Sequence, residues 1–297
     1  MTHLRRSCLT AAVLVLSLAP TPARADEAEL ARQLKEKGAT LSETKGVVTS
    51  FEALDCTKWA DEDFRKIGGL SHLKMLSFGP GLGDASLALL TGLPELEYFS
   101  SNLSTLSDEG VKSLARFHAL KNVKFFHPGK TFSGAGLSVL AELPNLERLT
   151  VAGSLAFNDE GMAAVAKLTR PKEFRTWHAG HTLEGVKHLK SLGALTSLTV
   201  GQRLSYTPPT SLSDETLAVL AEMKSLESVR LEEARLNFDS LIRLKELPAL
   251  KKLVLEGIDL PEPDLERFRK ELPKVEIQWT APNETYRKRI DKLFGPR

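Results

Sequence analysis

The sequence repeats one phrase along nearly its whole length, and this repetition limits the chain to a stacked architecture. The phrase reads Leu-Pro-Asn-Leu-Glu-Arg-Leu-Thr-Val over residues 143–151, and a degenerate first copy places Phe51 and Ala53 at its last apolar positions. Because periods of this length are typical of solenoids, they predict one short strand and one helix per unit. The clear copies, 23 to 31 residues apart, begin at Leu70, Leu93, Phe117, Leu143, Leu168, Leu192, Met223, Leu247 and Leu272.

The second part of each phrase alternates as a half-buried strand does. In the copy above, Leu149 and Val151 are apolar and face inward, while Arg148, Thr150 and Ala152 face outward. Such a strand buries its apolar edge only when neighbouring units stack against it, so the core has to run through the whole array.

The region after each strand predicts a short helix that packs one narrow face. Polar starts such as 107–109, 158–160 and 213–215 offer a Ser or Asn cap followed by carboxylates at the positive end of the helix dipole. Apolar residues then recur at i, i+3 and i+4, as in Val111/Leu114/Ala115, Leu137/Leu140/Ala141, Met162/Val165/Ala166 and Leu217/Leu220/Ala221.

The strand pattern Leu-x-x-Leu-x-Leu and the helix pattern Ser-Asp-Glu-Gly-Val-x-x-Leu-Ala of residues 107–115 resemble those of leucine-rich-repeat proteins. The likeness covers residues 46–280 and is greatest to secreted bacterial, ribonuclease-inhibitor-like members, including a leading helix over 27–38 and a closing phrase over 271–279. The resemblance implies an α/β solenoid of about nine to ten repeats, with parallel strands on its concave face, helices on its convex face and a protein-binding role without catalysis. The domains expected are a signal peptide 1–25, an N-terminal helical cap 26–45, the repeats 46–280 and a basic C-terminal tail or cap 281–297.

One position departs from the family pattern. The ninth position of the strand phrase, where Asn or Cys joins neighbouring turns in the family, carries a matching residue only at Cys56. We therefore expect no asparagine ladder between neighbouring turns, and we expect the solenoid to form an irregular arc. Cys56 itself is expected to be a buried structural thiol. The later copies carry Gly81, Ser104, Pro128, Ser154, Ala179, Arg203, Ala234 and Ile258.

The first 25 residues predict export. Arg5 and Arg6 precede an apolar stretch over 9–19 that is too short to span a bilayer, and Ala23 and Ala25 suit cleavage before Asp26. The remaining chain holds 37 basic and 38 acidic residues, so no basic field favours nucleic acid. After cleavage we expect no stable membrane insertion, and a periplasmic or extracellular location.

Catalytic and metal-binding patterns are weak. His178, His181 and His188 form the best metal-like group, but zinc needs three or four converging ligands. No nucleophile and base can be paired from the sequence. The interpretation is a protein without cofactor and without enzymatic activity, with a secreted metal-dependent hydrolase at the His178 region as an alternative.

The outward strand positions supply the candidate binding site. They line up in three stripes, in which aromatic and basic residues of the middle units fall close together, as binding hot spots do. Ala152, between two of the aromatic residues, is expected to leave room for a group of the partner. The other open interpretations are a structural envelope component without a ligand and aromatic side chains that pack as local core; the oligomeric state stays open. The predicted ligand-binding residues are Trp177, Phe126, Tyr98, Arg148, Arg175, Lys124 and, in a surplus loop over 203–212, Tyr206.

Overall fold

The strands form one sheet that follows the order of the chain. The structure, a computed structural model, describes residues 22–205 and 207–297, and its eleven strands lie in the order β1 to β11. The strand β1 (Ala39–Thr44) pairs antiparallel with β2 (Val47–Ala53). The remaining strands are parallel to β2: β3 (Met75–Phe78), β4 (Tyr98–Asn102), β5 (Asn122–Phe126), β6 (Arg148–Ala152), β7 (Glu173–Trp177), β8 (Ser197–Gly201), β9 (Ser228–Glu232), β10 (Lys252–Glu256) and β11 (Glu276–Thr280).

A helix, or a short helical segment, separates each strand from the next beyond β2. Shorter 3-10 segments extend or replace α-helices at Lys112–Arg116, Ala135–Glu142, Leu189–Ser191 and Ile242–Glu246. The α-helices are α1 (Pro22–Glu36), α2 (Asp61–Ile67), α3 (Asp84–Leu89), α4 (Asp108–Val111), α5 (Asp159–Val165), α6 (Leu183–His188), α7 (Asp214–Ala221), α8 (Phe238–Leu241), α9 (Glu262–Glu271) and α10 (Glu284–Phe294).

The core lies between the sheet and the helices, as the repeat predicts. The register confirms the three outward stripes, since Tyr98 pairs with Asn122, Asn122 with Arg148 and Arg148 with Glu173. The two inward residues of each strand alternate with these positions and are at most 1% exposed from β2 to β10. Each unit therefore completes the core of its neighbour.

A second column of buried residues closes the core at the helix starts. It consists of the residue just before each capped helix start, where an apolar side chain fixes the entry of the chain. One member, His181, is polar and fully buried. The others are Leu82, Leu106, Phe132, Phe157, Leu212, Leu236 and Leu260.

Aspartates at the helix starts join successive units by hydrogen bonds, as an asparagine ladder is expected to do in the family. Asp108 accepts hydrogen bonds from the backbone N–H groups of Ser133 (3.0 Å), Gly134 (2.8 Å) and Gly136 (3.1 Å), and from the Ser133 hydroxyl (2.7 Å). Asp159 likewise accepts from the backbone and hydroxyl of Thr182. The same link joins Asp84 to Ser107 and Asp214 to Asn237. These aspartates therefore join neighbouring units in addition to meeting the positive end of the helix dipole.

Cys56, the one residue that fits the family's ladder position, is buried as expected. Its Sγ donates to the carbonyl of Pro80 at 3.2 Å, and the backbone N–H of Cys56 donates to the same oxygen at 2.8 Å. Burial raises the pKa of the thiol to about 11, so the thiol is protonated at neutral pH.

The two ends of the array are built differently. At the start, α1 buries Ala31 and Leu34 next to the hairpin of β1 and β2; the strand β1 was not predicted from the sequence. At the end, α10 turns back over the loops that follow β9 and β10. There, Asp259 pairs with Arg235 (2.6 Å), Arg287 (2.8 Å) and Arg297 (3.0 Å). Burial alone would raise the pKa of Asp259, but these guanidinium groups hold it below its usual range.

The predicted export segment lies largely outside the described residues, which begin at residue 22. Within the described chain, no helix has the length and apolar character needed to cross a membrane.

Candidate binding surface on the strand face

The predicted aromatic residues of β5 and β7 contact each other across β6. Phe126 and Trp177 pair with the two sides of Ala152, and their ring centroids lie 6.0 Å apart at an angle of 57°. Both rings are half-buried, and Ala152 beneath them is 2% exposed. The expectation of open space over Ala152 is therefore wrong, because the two rings contact each other and fill this space. They remain on the strand face, outside the buried core.

A cation lies over the third aromatic ring. The ammonium of Lys124 on β5 sits 5.1 Å from the centroid of the Tyr98 ring on β4. Among residues 22–205 and 207–297, Lys124 forms no ion pair, so no carboxylate neutralises its charge. Such a contact contributes about 0.5–1 kcal/mol at an exposed site and leaves the charge available to a ligand.

Two arginines share one carboxylate beside the aromatic pair. Glu173 accepts from Arg175 at 2.8 Å and lies 3.5 Å from the Nε of Arg148. Both guanidinium groups are about half-exposed. Exposed ion pairs stabilise a fold weakly, so these side chains can exchange Glu173 for another partner. Together with Lys124, the surface holds three cations and one anion.

Large and small outward residues alternate from strand to strand. The strands β5 and β7 carry Lys124 with Phe126 and Arg175 with Trp177. Between and beyond them, β6 and β8 carry small residues that the neighbouring long side chains bury, although they face outward. These small residues are Thr150, Ala152, Thr199 and Gly201. The result is a ridged surface with ridges about 10 Å apart, from the spacing of parallel strands. The same alternation of large and small residues is present in the aligned stripes of the sequence.

The three histidines of the metal-like group do not converge. His178 pairs with the buried carboxylate of Glu233, which also binds Arg289 at 3.0 Å. His181 lies in the core beside Phe157, and burial lowers its pKa to about 4. His188 is exposed on α6. In the described part of the chain, no three His, Cys, Asp or Glu side chains are grouped as metal ligands would be.

The surplus loop is anchored at its base and exposed at its tip. Gln202 accepts from the backbone N–H of Ser211 (3.0 Å) and donates to the carbonyl of Leu212 (2.9 Å). Residues 207–209 are exposed. Tyr206, the predicted binding residue of this loop, lies outside the described residues.

Comparison with known proteins shows a likeness of fold. No protein-family model and no curated protein sequence matches the chain. A solved protein of Bacteroides fragilis is 14% identical, with a TM-score of 0.54 over 86% of this chain and 82% of that one. An internalin of Listeria monocytogenes is 17% identical, with a TM-score of 0.47 over 94% of this chain and 84% of that one. A leucine-rich-repeat protein of Leptospira interrogans is 17% identical, with a TM-score of 0.34 over 72% and 68% of the two chains.

The architecture of the chain itself settles the type of repeat. Each unit combines the Leu-x-x-Leu-x-Leu phrase with one parallel strand, and a helical segment leads to the next strand. The strands then line one face in the order of the chain. The chain is a leucine-rich-repeat solenoid.

Proposed function

We propose that the protein is an exported scaffold, without catalytic activity, that binds an acidic segment of a protein or peptide across β4 to β7. The observation that carries the proposal is the surface of Tyr98, Phe126 and Trp177, which adjoins three cations opposed by one carboxylate. Solenoids present extended strand faces of this kind to partners. Half-buried aromatic rings beside arginine are the composition of binding hot spots.

The contact between Phe126 and Trp177 defines how a ligand would be held. Because the two rings fill the space over Ala152, a partner would pack on top of them rather than insert between them. Lys124 on one side and Arg148 with Arg175 on the other would then meet acidic groups of the partner. The positive charge also raises the rate of encounter with an acidic partner in a salt-dependent way.

Export is supported by the sequence of residues 1–25 alone. The proposal predicts that the exported chain begins at Asp26, and the intact mass of the protein recovered outside the cytoplasm tests this. A mass that includes Met1 would contradict cleavage.

The experiment for the binding site compares three forms of the mature chain in pull-downs from the native envelope. We expect wild type and Lys252→Ala to capture the same partner, and Trp177→Ala to lose it. Loss of a central tryptophan typically costs about 2 kcal/mol, or roughly thirtyfold in affinity. Lys252 is the matched control because it lies on the same face but pairs with Glu276, outside the aromatic group.

Two results would overturn the proposed function. Equal capture by all three forms would show that the partner binds elsewhere. Capture of no specific partner by the wild type would favour a structural envelope component. The segment of the partner that the bound wild-type protein protects from proteolysis should be acidic. A basic segment would contradict the charge argument.

A further inference from the structure

The last strand of the solenoid has an open and regular edge. The described chain places no strand beyond β11, whose backbone pairs with β10 over all five residues. At the other end, β1 carries a register shift between Ser42 and Glu43, a feature that discourages further pairing. The edge of β11 has neither a bulge nor a proline between residues 276 and 280.

The apolar side of β11 is also incompletely covered. Leu253 and Leu255 on β10 are 0% exposed. Their in-register neighbours Ile277 and Trp279 on β11 are only partly buried, although they pack against the same core. The ion pairs of α10 to Glu233 and Asp259 attach this helix to the loops of earlier units.

The hydrogen-bonding pattern tells which backbone groups face the open edge. The N–H of Glu276 donates to Lys251 at 2.8 Å, so Glu276 and every second residue after it bond toward β10. The N–H and C=O groups of Ile277 and Trp279 consequently point to the open side. These four groups can form two hydrogen-bonded pairs with an antiparallel strand of the same sequence.

We propose that β11 is a dimer interface, at which a second copy of this chain pairs antiparallel about a twofold axis through Gln278. In this register Ile277 lies opposite Trp279 of the second copy, which joins two apolar side chains on the inner face. Glu276 lies opposite Thr280, and Gln278 faces its own copy, so no like charges are opposed. The twofold arrangement closes after two chains, whereas pairing of β11 with β1 would continue into a filament.

The interface is tested by placing a cysteine on the axis. In the mature chain, Gln278→Cys should form a disulfide-linked dimer under mild oxidation, because directly opposed residues on antiparallel strands have the Cα separation that a disulfide needs. The matched control is Glu276→Cys, which faces Thr280 of the second copy and should not cross-link. Both variants retain the buried Cys56, so this thiol affects both equally.

Sedimentation of the wild-type chain supplies the independent measurement. We expect twice the mass of one mature chain for the wild type. For Gln278→Lys, which places two lysines opposite each other at the axis, we expect the mass of a single chain. A second lysine variant, Ser197→Lys on β8, adds the same charge far from the edge and should stay dimeric. A monomeric wild type, growth beyond the dimer, or equal cross-linking of both cysteine variants would overturn the proposal. None of these outcomes depends on the binding site at Trp177.

Discussion

Replacing His181 by leucine should stabilise the protein, and more so in acid. His181 occupies a buried position that is Leu or Phe in the other units, and both of its ring nitrogens lack a hydrogen-bond partner among the described residues. A buried unpaired polar group costs about 1–3 kcal/mol. The variant His181→Leu removes this cost and continues the apolar column between Phe157 and Leu212. We therefore expect a gain of about 1–3 kcal/mol in the free energy of unfolding at pH 7.

The pH dependence follows from the lowered pKa of the same ring. Burial lowers the pKa of His181 from 6.5 to about 4, with a smaller opposing effect from Asp159 and a smaller contribution from Arg203. Between these pH values the unfolded chain binds a proton that the folded chain does not, so stability falls as the pH drops and levels off below about 4. The full loss amounts to about 3 kcal/mol.

The assay is urea unfolding of wild type and His181→Leu at pH 7, 5 and 4, read as the difference between the two proteins. Other ionisable groups are common to both proteins, so their titration cancels in the difference. The gain should grow by about 3 kcal/mol from pH 7 to pH 4. The control His188→Leu, at an exposed position on α6, should show a much smaller change. A gain that does not depend on pH would refute the assignment of His181 as a buried neutral ring.

Three further outcomes test the fold. Leu149→Ala should lower the free energy of unfolding by about 2–5 kcal/mol in denaturant titrations, because Leu149 is 0% exposed in the sheet; a loss below 1 kcal/mol would contradict its place in the core. Asp108→Ala should lower the free energy of unfolding by about 1.5–3 kcal/mol, because Asp108 hydrogen-bonds to the next unit. The exposed Glu109→Ala should change it very little, and equal losses would show that the aspartate link is dispensable. Deleting residues 207–209 should leave the melting temperature nearly unchanged, whereas a large drop would show that the tip packs on the array.

Local patterns predicted those parts of the fold that depend on near neighbours. Alternation gave the outward stripes and their register, because each strand shows its two faces with a period of two. The strand β1 was missed because its sequence, Ala-Thr-Leu-Ser-Glu-Thr, has a weak apolar alternation and belongs to no repeat. The aspartate link was not predicted, because it joins two neighbouring units and depends on the distance between them. The pattern of a single unit does not contain this distance.

The sequence predicted which side chains share the strand face, but it did not predict the contacts between them. The stripes placed Phe126 and Trp177 on one face two strands apart, yet the contact between their rings depends on side-chain rotamers. The seating of α10 was equally out of reach, since Arg289 and Glu233 are 56 residues apart in sequence.

The different construction of the two ends gives unfolding a direction. In an array whose units contact only their neighbours, unfolding starts at the less stable end and spreads inward unit by unit. The first end buries Ala31 and Leu34, and salt does not weaken this contribution. The last end adds to the burial of Ile290 the ion pairs between arginines and Asp259, which salt screens. As the ionic strength rises, the amides of β10 and β11 should therefore lose protection against hydrogen exchange before those of β2 and β3 do. The proposed binding surface lies at the middle of the array, which is the part that such unfolding reaches last.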